Sequence, residues 1–145
     1  MTKVVEITNI NRFRTSEQVL TDTGRKVYSN PAVVLTMPRG TASSALLHIF
    51  EVYNPKSRNG RLLCSEIAEE YRQRGLRADV EALADYLKKN PAAADEKWLA
   101  CQWKDASGYW FAAFYRWLGE RGVYVGRYGL GWRGAWLFAG VPQES

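Results

Sequence analysis

A chain of 145 residues with 46% apolar side chains is long enough to bury a core without disulfide staples, which reads as one domain or one domain with an extension. Two cysteines and a single histidine, His48, exclude a structural zinc site, and Cys64 and Cys101 read as reduced core residues of a cytoplasmic protein. The longest apolar run, Tyr109–Tyr115, falls far short of the ~18 residues a membrane helix needs, and Met1–Glu6 carries no leader pattern.

The net charge of +5 is unevenly placed. Residues 1–60 carry eight Lys/Arg against four Asp/Glu, residues 61–106 eight against nine, and residues 107–145 four against two. The basic ends favour an anionic partner. The aromatic share is 13%, with six Trp, and rings this numerous often line an interface as well as a core.

In chain order, Lys3–Ile10 reads as a strand. Gln18–Thr21 and Arg25–Ser29 flank Asp22-Thr23-Gly24, which predicts a hairpin. Pro31 and Pro38 bracket Ala32–Met37, which suits an edge strand. A helix capped by Thr41 or Ser43 runs to about Tyr53, with Leu46, Ile49, Phe50 and Tyr53 on one face. Asn54-Pro55 stops it, and Lys56–Gly60 is a basic loop. A second helix covers Leu62–Arg74 and ends at Gly75; a third starts near Arg77, shows Val80, Leu83, Ala84 and Leu87 as its stripe, and ends at Asn90-Pro91. Ala92–Glu96 is a linker and Lys97–Lys104 a short strand. Ser107 then caps an aromatic helix that closes at Gly119 or Gly122. Trp110, Phe114 and Trp117 share one face of it, and Phe111, Tyr115 and Leu118 a neighbouring one. Val123–Tyr128 and Ala135–Ala139 form a last hairpin around Gly129–Gly134.

The segment Cys64–Leu87 resembles a helix-turn-helix, with Ile67-Ala68 in the first helix, Gly75-Leu76 in the turn, and Val80, Leu83 and Leu87 in the second helix. The gap from Ala68 to Gly75 is longer than in the tight form and points to the looser winged-helix variants. Asp79, Glu81 and Asp85 on the second helix repel phosphate, so that helix is not expected in a groove. Leu118–Val123 and Gly131–Leu137 are similar to the last helix and wing of winged-helix modules in phage and plasmid replication proteins and primases. The resemblance implies Arg116 and Arg121 as basic contacts of the aromatic helix and Arg127 and Arg133 as wing contacts.

The expected fold is therefore α+β and winged-helix-like: an N-terminal β-hairpin region over 1–40, then a helical domain over 41–145 that ends in the aromatic helix and a hairpin. The whole of 1–145 also reads as one compact unit. Arg127 and Arg133 stand among Tyr124, Tyr128 and Trp132, so Arg would neutralise phosphate while rings stack on bases. No catalytic set emerges. His48 reads as a satisfied imidazole, Cys64–His48 lacks a local signature, and Gly126-x-x-Gly129-x-Gly131 lacks the Lys-Ser/Thr ending of a phosphate loop. The expectation is noncatalytic binding of DNA, RNA or a host nucleoprotein complex through Arg116, Arg121, Arg127, Tyr128, Trp132 and Arg133, with no cofactor, metal or membrane. The alternative is a small phage or mobile-element inhibitor, of the anti-CRISPR or another antidefence type, that binds a host protein complex. A homodimer through the aromatic helix is a third reading.

Overall fold

The computed structural model describes residues 2–52, 61–127, 132–133 and 136–143. Ten strands and four α-helices follow in chain order: β1 (Thr2–Ile7), α1 (Ser16–Thr21), β2 (Lys26–Ser29), α2 (Pro31–Thr36), β3 (Ala45–Glu51), β4 (Arg61–Leu62), α3 (Cys64–Arg74), β5 (Leu76–Arg77), α4 (Val80–Lys89), β6 (Trp98–Asp105), β7 (Gly108–Trp117), β8 (Glu120–Arg127), β9 (Trp132–Arg133) and β10 (Trp136–Pro142). A mixed sheet runs β1-β3-β10-β6-β7-β8-β2, and β5 pairs with the end of β10. The β10–β6 and β2–β8 pairs are parallel. A separate ribbon pairs β4 with β9.

Both faces of this sheet are covered. Leu47, Ile49, Leu99, Cys101, Ala112, Phe114, Val123, Val125 and Ala139 point to one face and pack with Val19 and Leu20 of α1, Val33 and Val34 of α2, and Val80, Leu83 and Leu87 of α4. This is the α4 face. Phe50, Ala100, Phe111, Ala113 and Phe138 point to the other and pack with Ile67 and Tyr71 of α3 and with Trp132 of the ribbon. This is the α3 face.

The architecture corrects the winged-helix expectation: a mixed sheet with helices on both sides stands where a helical cluster and wing were expected. The segment expected as an aromatic helix is the β7–β8 hairpin. β7 lies between β6 and β8 and sends successive side chains into the cores on both faces along much of its length, so period-2 alternation disappears into a continuous apolar run. Its Tyr, Trp and Phe side chains favour strand. The real signals are the turns. Asp105 Oδ1 accepts from Ser107 N–H at 2.7 Å before β7, and Leu118-Gly119, with φ of 52° and 82°, closes the next hairpin with Trp117 opposite Glu120. The helix expected over 41–53 is replaced by β3 at Ala45–Glu51, Tyr53 and the expected Lys56–Gly60 loop lie outside the described residues, and β8 and β10 do not pair with each other. The edge strand expected at Ala32–Met37 is α2, with Asn30 as N-cap and Pro31 in the first turn. The first arm of the expected 18–29 hairpin is α1, opened by a capping box in which Thr15 and Gln18 exchange bonds of 3.1 and 2.8 Å.

The acidic residues of α4 are internal. Asp79 caps the helix at Ala82 N–H and takes a two-pronged bond from Arg12 at 3.0 Å on each arm. Fully buried Glu81 accepts from Arg12, Arg14 and Arg39 at 3.1–3.2 Å, and Arg14 also reaches Asp85 at 2.8 Å. Gly40 lies against the Arg12–Asp79 fork, where a Cβ would stand 2.7 Å from Asp79 Oδ2.

Candidate functional site

The α3 face is not evenly covered. Ala100 and Ala113 are small, and Trp132 packs with them in one buried cluster. The Trp132 ring meets Phe111, Trp136 and Phe138 at centroid distances of 5.0, 4.9 and 5.1 Å. Its indole N–H donates to Gln102 Oε1 at 2.8 Å, and Gln102 Nε2 donates to the Cys64 carbonyl at 2.8 Å. Trp132 is thus a buried packing residue and offers no ring to a partner.

Beyond this cluster the rings become accessible. In register across the sheet lie Trp136 and Trp98 on β10 and β6, then Tyr115 and Gly122 on β7 and β8, then Lys26 on β2. Trp98 contacts Trp136 at 5.0 Å, Tyr115 at 5.5 Å and Trp117 at 6.0 Å. Its N–H donates to the Arg116 carbonyl at 3.2 Å, which fixes the ring beside the hairpin. Trp117 is 60% exposed and Tyr124 46%. Tyr28, also exposed, sits opposite Tyr124 and donates to Glu120 at 2.9 Å.

Two glycines set the attitude of the tyrosines. A Cβ on Gly122 would lie 2.6 Å from Tyr115 Oη, and one on Gly126 would lie 2.6 Å from the Tyr124 ring. Each ring therefore leans over backbone instead of standing up from the sheet. Tyr124 also stacks on Phe111, with centroids 5.5 Å apart and planes 22° apart. Phe111 takes one face of the ring, which stays half-exposed.

The arginines lie on the opposite side. Arg116 and Arg121 are cross-strand partners on the α4 face, near the hairpin tip. Arg121 grips Asp95 through bonds of 3.0 and 2.7 Å, and Arg116 reaches the same carboxylate at 3.5 Å. The Arg121 bonds, with the charges of Arg121, Arg116 and Arg25, hold the Asp95 carboxyl below the usual carboxylate range. Buried Arg25 donates to the carbonyls of Tyr115, Gly122 and Pro91 at 3.0, 3.4 and 2.7 Å. Burial draws the Arg25 pKa down against the pull of Asp95.

Arg127 is paired with Trp110 at the other end of the hairpin, six residues along β8 from Arg121, or about 20 Å at ~3.3 Å per residue. Its guanidinium lies 5.9 Å from the Trp110 ring centroid. Tyr128 and the side chain of Arg133 lie outside the described residues; the backbone of Arg133 pairs with Arg61. The six expected site residues are thus not gathered on one face. Sequence reasoning missed Tyr115 and Tyr124 as a pair, and Trp98, Trp117, Tyr28 and Lys26 beside them. Alternation of Tyr with Gly in Tyr124-Val125-Gly126 was the available signal.

Among the described residues, no three His, Cys, Asp or Glu side chains converge as a metal ligand set. His48 lies on β3, not on a helix. No helix among the described residues is long and apolar enough to cross a membrane. No protein-family model, curated protein or solved structure matches the chain.

Proposed function

We propose that this chain is a noncatalytic binding protein for nucleic acid, free or within a nucleoprotein complex, and that it takes single strands on the α3 face of β7, β8 and β2. One observation carries the reading: Tyr115 and Tyr124 lean over Gly122 and Gly126 on one sheet face, beside exposed Trp117. Every base has a π face, so such rings stack on single strands with little regard to sequence. A duplex hides those faces within its own stack. Lys26, in register beside Gly122, supplies a phosphate contact on the same face. Among the described residues, the face carries no bidentate set for reading base edges, which favours weak sequence preference.

Fluorescence anisotropy with labelled oligonucleotides tests this. The double substitution Tyr115→Ala, Tyr124→Ala is expected to weaken binding by about tenfold or more, at unchanged circular dichroism. Absence of any complex with DNA or RNA at low salt contradicts the reading.

A second reading is favoured by the tip of the hairpin, where Trp117 and Leu118 are apolar and exposed. There the chain would be a small inhibitor of phage or mobile-element type, docked on a host protein complex. That reading expects a nuclease-resistant complex whose affinity changes little with salt.

A further inference from the structure

Leu118 occupies an unusual place. It is 90% exposed, and its φ of 52° lies in the left-handed region that Gly or Asn normally fills in a two-residue hairpin turn. A bulky apolar side chain is disfavoured there by backbone and by solvent alike. Nothing in the fold gains from it, since the turn would close better with Asn.

Directly behind the turn stands a second imbalance. Arg116 and Arg121 face one another across the ladder, a like-charge pair that opposes pairing. Arg25 lies beneath them on the Tyr115 and Gly122 carbonyls. Among the described residues, Asp95 is the carboxylate that Arg116 and Arg121 both reach, and buried Arg25 adds a third positive charge near it. Glu120 carries its charge on the opposite face, beside Tyr28 and Tyr115, where it accepts from the Tyr28 hydroxyl. The tip therefore presents an apolar point with Arg116 and Arg121 over one carboxylate on its α4 side, and the stacking rings with Glu120 on its α3 side.

We infer that this tip is a wedge that seats Leu118 at a junction between single-stranded and duplex nucleic acid, with Arg116 and Arg121 on the flanking phosphates. A junction offers the three matching features: an open base-pair face for an apolar side chain, closely spaced phosphates, and a departing single strand. The strand leaves over Trp117, Tyr115 and Tyr124, so the inference rests on the single-strand reading above.

The experiment compares three probes: a 12-nucleotide single strand, a 12-base-pair blunt duplex, and that duplex carrying one 12-nucleotide tail. The wild-type protein is expected to bind the tailed duplex roughly tenfold tighter than the single strand, and the blunt duplex weakest. Leu118→Asn suits the turn and keeps the fold, so it is expected to retain single-strand affinity and lose the tailed-duplex advantage. Tyr124→Ala is expected to weaken both probes alike and leave their ratio unchanged. A tailed duplex bound no better than the single strand overturns the wedge, as does an advantage that survives Leu118→Asn. Wild-type protein that binds none of the probes removes both the wedge and the single-strand reading. Single-strand binding without a tailed-duplex advantage removes the wedge alone.

Discussion

At the scale of single residues, the glycines under the tyrosines decide the chemistry. Gly122→Val places side-chain atoms where the Tyr115 phenol end now lies. The phenol is the mobile end of its side chain, so the ring swings up and the backbone stays. Gly122→Val is expected to lower oligonucleotide affinity about as much as Tyr115→Ala, with a melting temperature close to wild type; a large drop in melting temperature would instead make Gly122 a folding residue. Asp95 gives a pH prediction. Its carboxyl is held below the ordinary range by Arg121, Arg116 and Arg25, so its contribution is full above the unfolded carboxylate pKa of about 4. That contribution is lost as pH falls through the lower folded value. Melting temperatures followed from pH 7 to pH 2 are expected to fall more steeply in acid for wild type than for Asp95→Asn. Parallel curves contradict the role given to Asp95.

At the scale of elements, α4 and the hairpin behave differently. The N-terminus of α4 is tied to two loops through Glu81, which is fully buried and bonded to three arginines. Glu81→Gln leaves those guanidiniums short of a charge in a dry site, and urea unfolding is expected to show a loss of about 3–5 kcal/mol. A loss under 1 kcal/mol would mean that water or another carboxylate takes over. The hairpin tip holds the reverse case. Leu118→Asn relieves a left-handed, side-chain-bearing turn residue and is expected to stabilise by about 1 kcal/mol, read as a higher urea midpoint. The elements also differ in how openly the sequence declares them. Helices α3 and α4 were legible because each has one apolar stripe and an explicit stop, Gly75 at φ 67° and Asn90-Pro91. β7 was not, because cover on both faces makes it apolar at successive positions from Tyr109 to Tyr115, and Trp110, Phe114 and Trp117 then match a helical spacing by accident. Helices α1 and α2 carried readable caps, Thr15 with Gln18 and Asn30 before Pro31, that were outweighed by turn and strand signals around Gly24 and Pro38.

At the scale of the whole molecule, net charge says less than its placement. The chain carries +5, yet Arg12, Arg14 and Arg39 are bound to Asp79, Glu81 and Asp85, and Arg25 is buried. The basic N-terminal third thus contributes internal cross-links more than an outward field. Which arginines are internal depends on the pairing of residues about seventy positions apart, and no local pattern announces it. Among the described residues, the cations beside the platform and tip are Lys26 and the Asp95-paired Arg116 and Arg121. A tailed duplex that engages all three implies a log–log salt slope of about −2 to −3, and a single strand held by Lys26 alone a slope of about −1. A slope steeper than about −5 would move the interface to another surface.

The most direct test of the central claim is to map where a single strand touches the protein. A photoreactive oligonucleotide is crosslinked at low salt, and the modified peptides are identified by mass spectrometry. Adducts are expected at Tyr115, Trp117 and Tyr124. Adducts confined to the helical side, at Lys88 and Lys89 of α4, with the three rings unmodified, would contradict it.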